Sequence, residues 1–179
     1  SSKICRCFDC RQVLYEESMF DGQKVSKSRI ITSVDYSMVS MEAFEIYATN
    51  HDIHVMDFVL KLDAYSYYMM NLLDYLIGNT DRHWGNWGFL VDNRTNQPVR
   101  LFDLMDLNQT FLAYDTPDGA NCMTTGNRKM SQREAAVEAV KNIGLNQKDE
   151  IKDEWFKGRE KEREMFWCRF GILKEQWKA

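Results

Sequence analysis

The sequence predicts a mainly helical domain with a small antiparallel β-hairpin inserted near its middle. Three observations carry that expectation. The run "AYSYYMMNLLDYLI" (64–77) is apolar almost all round, the pattern of a helix buried inside a domain. The apolar stretches "WGFLV" (87–91) and "VRLFDL" (99–104) flank the polar turn "DNRTNQP", as two strands of a hairpin do. The last third of the chain returns to helical spacing, with Phe166, Phe170, Leu173 and Trp177 in register.

The elements follow in order. Residues 1–35 read as short strands and turns: "KICRCF", "RQVLYEESMF" with a turn at Asp21-Gly22, then "SKSRIITSV" with no clear register. "MEAFEIYATN" and "VMDFVLKL" read as two short helices parted at Asn50-His51-Asp52. Asp63 is suited to cap the long apolar helix and Gly78 to stop it. The segment "AYDTPDGANCMTTGNRKM" (113–130) is irregular, and its length without periodicity marks it as functional or mobile. Its hydroxyls Thr116, Thr124 and Thr125, with Ser131 beside it, are where a regulatory phosphate would fall. Ser131 with Glu134 forms a capping box for a helix to Ile143, ended by Gly144. A further helix is expected from Lys148 to Phe156, and the last covers 159–178 behind the solvated start "REKERE".

Composition narrows the function. At 179 residues the chain can bury a real core, and its 44% hydrophobic and 28% charged content is ordinary for a globular protein. A net charge of −4 gives no basic stripe, so nucleic acid is not an expected partner. No apolar run reaches a membrane span, and no signal-peptide pattern opens the chain. The five cysteines are odd in number, and Cys5, Cys7 and Cys10 sit too close for a disulfide framework. A cytoplasmic location follows, with buried thiols on a short edge strand favoured over a metal in "CRCFDC". His51 and His54 read as a surface turn.

The chemistry concentrates between helix and hairpin, in "GNTDRHWGNWGFL". Asp81 follows the buried helix, His83 comes two residues later and Asn86 five after Asp81. Asp103 closes the second strand, and antiparallel pairing brings it to the same end of the hairpin as Asn86. Asp and Asn oxygens are hard ligands suited to Mg²⁺, and a free Asp beside them can take the proton of a hydroxyl attacking phosphorus. A base, an amide ligand five residues on, and a carboxylate ligand at a strand end is the order of the kinase fold.

Those residues, with "LFDLMDLNQTF" after them, resemble the catalytic and metal-binding segments of HipA-like protein kinases, whose loop has the form N-x-D-x-H-x-x-N. They are similar, more distantly, to the D-R-H-x-x-N loop of phosphatidylinositol kinases. The close match spans about thirty-five residues. The resemblance implies the C-terminal lobe of a kinase-like fold, ATP as donor, a protein Ser/Thr acceptor and an antitoxin-like partner. It implies Asp81 as the catalytic Asp, His83 as support for the loop or the transferred phosphate, Asn86 and Asp103 as the Mg²⁺ ligands, and Asn79 as a cofactor-side residue bracing the loop. Asp106, three residues beyond Asp103, is an alternative ligand.

Two departures are legible. Only Gly22 precedes Gly78, and no Lys sits in a clear central strand, so the ATP-binding N-terminal lobe is expected to be absent, with residues 1–35 as its hinge-proximal remnant. The metal Asp is followed by Leu-Met where other kinases have Phe-Gly. The competing readings are a non-catalytic kinase-like binding module and a metal-dependent hydrolase.

Overall fold

In a computed structural model describing residues 1–112, 116–126 and 129–178, the sequence folds into five α-helices and two small antiparallel sheets among the described residues. The architecture is therefore mixed α/β. Strands take a larger share than a mainly helical domain implies, and residues 113–115 and 127–128 of the irregular segment lie outside the described residues.

The N-terminal region departs most from expectation. Ser2–Cys5 forms one turn of helix, α1, in place of an edge strand. Cys5 and Cys7 are nonetheless buried thiols, and burial, its largest cause, pushes Cys5 up to about 12. The strands β1 (Tyr15–Phe20) and β2 (Gln23–Ser28) then pair in a clean register, Tyr15 opposite Ser28 and Phe20 opposite Gln23. The register comes from the two-residue turn: Asp21 at φ 48° and Gly22 at φ 75° both occupy the left-handed region that tight hairpins demand.

Strand β3 (Tyr36–Ser40), unmarked in the sequence, joins the predicted hairpin of β4 (Gly88–Asp92) and β5 (Gln97–Leu101) in the order β3-β4-β5. As the central strand, β4 is buried along most of its length, which explains its unbroken apolar run. Gly88 is required at its start. A Cβ there would lie 2.1 Å from the Val39 carbonyl oxygen of β3. Gly88→Ala is expected to destabilise by about 1–3 kcal/mol or more, since backbone must move to admit the methyl group. Urea unfolding against wild type checks it, and an unchanged midpoint would contradict the close approach.

The two helices expected after Ser40 are α2 (Met41–Asn50) and α3 (Val55–Ile77), with α3 broken by a kink. The break is at Asp63 (φ −155°, ψ 63°), whose carboxylate accepts from the Ser66 N–H at 3.2 Å, so the predicted cap sits inside a merged helix. The other oxygen of Asp63 takes Arg11 at 2.6 Å and the Leu101 N–H of β5 at 3.1 Å. From Met69 to Ile77 the helix is buried continuously. It packs against β5, α4 (Gln132–Ile143) and α5 (Glu160–Lys178), and the core joins Leu72, Leu76 and Ile77 to Ala136, Ala139, Phe166 and Leu173.

The capping box of α4 is present in both directions, Ser131 Oγ accepting from Glu134 N–H and Glu134 from Ser131 N–H. Ser131→Ala is expected to lower stability by about 1 kcal/mol, read as a shifted thermal midpoint. The helix expected over 148–156 is only a 3-10 turn at Asp153–Phe156. Trp177, expected on the core face of α5, is 57% exposed, whereas Arg169 is fully buried, donating to the Tyr75 carbonyl and lying over the Tyr75 ring. No helix among the described residues is long and apolar enough to cross a membrane.

Candidate functional site

The site begins where α3 stops. Gly78 takes the left-handed conformation (φ 59°, ψ 45°), and the Asn79 N–H reaches back to the Asp74 carbonyl at 2.9 Å. The loop that follows is organised around a buried ion pair between Asp74, in the last turns of α3, and Arg82, each 3% exposed. Arg82 donates Nε to Asp74 Oδ2 at 2.8 Å and Nη2 to Asp74 Oδ1 at 3.1 Å, the forked geometry that makes such pairs strong. Burial opposes the Arg82 charge, yet the Asp74 carboxylate beside it more than offsets this, and the pKa stands above the ordinary guanidinium value. A reading of Asp81-Arg82 as a solvated turn does not hold for Arg82.

The remaining Arg82 nitrogen sets the site. Nη1 donates to the Asn86 carbonyl at 2.9 Å and to the Met105 carbonyl at 2.6 Å. One buried cation thus clamps the loop at Asn86 to the segment at Met105-Asp106. Asn86 in turn donates its Nδ2 to the Asp81 carbonyl at 2.8 Å, which turns its Oδ1 away, without a hydrogen-bond partner among the described residues.

Asn79 braces the loop, as expected, but it has no surface for a cofactor. It is fully buried, with Nδ2 donating to Asp74 at 2.9 Å, Oδ1 accepting from the Asp81 N–H at 3.3 Å and its carbonyl taking the Gln132 amide of α4. Asp81 and His83 are both partly exposed, with His83 Nε2 3.9 Å from Asp81 Oδ1. The other ring nitrogen, Nδ1, accepts from the Gly85 N–H at 3.0 Å, which fixes the proton on Nε2, toward Asp81.

Asp103 is ion-paired. It lies beyond the end of β5, though pairing runs on to Phe102, whose N–H meets the Gly88 carbonyl at 2.9 Å. Asn86 and Asp103 do line one small cavity, of about 20 Å³. The Asp103 carboxylate, however, is held by Arg100 at 2.6 Å. Asp106, the alternative ligand, is free of such a pair. Its carboxylate has no ion pair or hydrogen bond among the described residues, and its negative charge acts on Arg82. Its backbone sits at φ 54°, and a non-glycine residue held there stores strain of the kind found at functional positions.

Asn86 and Asp103 thus face one small cavity with Arg82, while Asp106 lines a separate opening with Ser1, Ser2 and Tyr15. The donor set suits Mg²⁺: Asn86 with Asp103 or Asp106 supplies hard oxygens, and the buried Asp74 carboxylate neutralises the nearby guanidinium. No group of three His, Cys, Asp or Glu side chains converges among the described residues. A cation here would keep waters and rest partly on substrate oxygens, the habit of Mg²⁺.

The irregular segment is fastened beside the site. Trp84 Nε1 donates to the Met123 carbonyl at 2.8 Å, and Thr124 is buried with its hydroxyl on Asn71. Thr124 is therefore closed to modification in this conformation. Thr116 and Ser131 are occupied in local turns, accepting from the Asp118 and Glu134 N–H groups. Sequence reasoning missed the Asp74–Arg82 pair, although a lone carboxylate among Leu72, Leu73, Tyr75 and Leu76 needs a cation.

Compared with known proteins, the chain matches no family model, no curated protein and no solved structure.

Proposed function

We propose that this chain carries the catalytic lobe of a phosphoryl-transfer enzyme of the HipA-like kinase type, acting from Mg-ATP on a protein Ser or Thr hydroxyl. The carrying observation is the Arg82 clamp, which ties Asn86 to Met105-Asp106 while Asn86 itself bonds to Asp81. The class rests on this arrangement and on the loop's resemblance. The particular acceptor chemistry rests on the resemblance alone.

In this reading Asp81 receives the acceptor's hydroxyl proton as that oxygen bonds to the γ-phosphorus and the bond to ADP breaks. His83, with its Nε2 proton toward Asp81, holds the carboxylate in place. Asn86, with Asp106 or Asp103, would hold Mg²⁺, which would supply neutralising charge for the phosphate oxygens. Of the two, Asp103 is engaged with Arg100. An antitoxin-like partner would act on this enzyme.

The test is nucleotide binding by calorimetry and transfer from γ-labelled ATP, measured on the native polypeptide. Mg²⁺-dependent binding and transfer in the native polypeptide are expected, with Asp81→Asn retaining nucleotide and losing transfer. Binding without transfer would favour the non-catalytic module. Phosphate release to water with no protein acceptor labelled would favour the hydrolase.

A further inference from the structure

The loop after α3, the irregular segment and α4 meet at one side chain. Gln132 opens α4, directly after its Ser131 cap, and is 6% exposed. Its Nε2 donates to the Asn79 carbonyl of the loop, and its Oε1 accepts the Ala120 N–H of the segment at 3.0 Å. We propose that Gln132 is a positioning residue for Asp81, through which the placement of residues 118–122 governs the catalytic loop. This deepens the phosphoryl-transfer reading and rests on it.

The two partners dictate the residue type. A carbonyl oxygen needs a donor and an N–H needs an acceptor, and a Gln side chain offers both on one planar group. Turning the amide over would set oxygen against oxygen and N–H against N–H, so its orientation is fixed by what it touches. A carboxylate in its place could still accept from Ala120, but it would repel the Asn79 carbonyl. An apolar side chain of the same length would leave both backbone groups without this partner, at the cost of a stranded polar group.

Both ends of the link are held closely. On the segment side, the Gln132 N–H donates to the Ala120 carbonyl at 2.9 Å, so backbone and side chain of one residue grip the same partner. The Arg133 N–H on the Asp118 carbonyl at 3.0 Å and the Cys122 N–H on the Met130 carbonyl at 2.8 Å extend the pairing on either side. Gly119 (φ 72°) crosses so near that a Cβ there would lie 2.7 Å from Gln132 Oε1. On the loop side, Asn79 is fully buried, and its Oδ1 accepts the Asp81 N–H at 3.3 Å. Its Nδ2 donates at 2.9 Å to Asp74, the carboxylate that holds Arg82. A shift of Ala120 therefore reaches Asp81 through Gln132 and Asn79 in turn.

The test compares Gln132→Met and Gln132→Glu in the native polypeptide, reading transfer from γ-labelled ATP and amide exchange at residues 79–82 and 118–122. Gln132→Met is expected to lower kcat about 10- to 100-fold while KM for ATP stays within about twofold, as for a catalytic group set slightly out of place. Gln132→Glu should lose activity when its carboxyl is ionised and regain it as pH falls, because the protonated form donates to Asn79 again. A mere loss of stability would give no such rescue. Ser131→Ala, which weakens the α4 cap and leaves the amide in place, is the stability control and should keep the wild-type kcat. A kcat within about twofold of wild type in both Gln132 variants overturns the proposal. So does faster exchange at 118–122 with 79–82 unchanged. If the wild type transfers no phosphate but Gln132→Met speeds exchange in both stretches, the link stands and the kinase reading falls.

Discussion

Asp106→Asn is expected to reduce phosphoryl transfer on the order of 10²-fold or more, because a cation ligand supplies several kcal/mol of charge stabilisation in the transition state. Asp103→Asn should leave transfer within about threefold, well short of the tenfold that 1.36 kcal/mol represents. It gives up a partly exposed pair with Arg100 at 2.6 Å. Asp81→Asn should fall by about 10²–10⁴, the contribution of a positioned base. The discriminating readout is the Mg²⁺ dependence. Asp106→Asn should raise the Mg²⁺ concentration needed for half-maximal rate, whereas Asp81→Asn should lower the rate at every Mg²⁺ concentration. If Asp103→Asn shifts the Mg²⁺ requirement and Asp106→Asn does not, the original assignment from the strand end is the right one.

Arg82→Met should cost the fold more than any surface change. It strands the Asp74 carboxylate, 3% exposed, in the last turns of a buried helix, and it frees the Asn86 and Met105 carbonyls. Breaking a buried pair by removing one partner costs about 3–5 kcal/mol. Against a total stability of about 5–15 kcal/mol, that is enough to leave the variant marginal. The companion Asp74→Leu/Arg82→Met should recover part of the loss, since no uncompensated charge then remains inside. Urea midpoints of both variants check this. If the single variant loses less than about 1 kcal/mol, the pair is not the organising element of the loop.

What could be read in advance was local. Asp63, Gly78 and the Ser131–Glu134 box each act within a few residues, and each is in place as the sequence indicated. The hairpin of β4 and β5 was legible because its apolar runs and polar turn are contiguous. The larger misses are pairings over distance. Strand β3 has ordinary residues, and only β4 makes it a strand. The 148–156 run has helical composition, but its backbone turns away to serve the N-terminus, with Lys148 and Asp149 N–H groups on the Cys7 carbonyl. Sequence spacing could not show that Arg100 holds Asp103, or that Arg82 reaches across to Met105. Arg82 itself was visible as a residue, but not as the centre of the loop.

The Asp63 carboxylate has a consequence for how the chain assembles. Its two oxygens serve the second half of α3, through Ser66, and the end of β5, through Leu101, with Arg11 as counter-ion. The helix start and the strand end are separated along the chain but share one acceptor group. Neither is complete until the other arrives. Long-range closure and helix initiation then become a single cooperative event, so that fraying of the hairpin and fraying of the helix should report the same local opening in amide exchange.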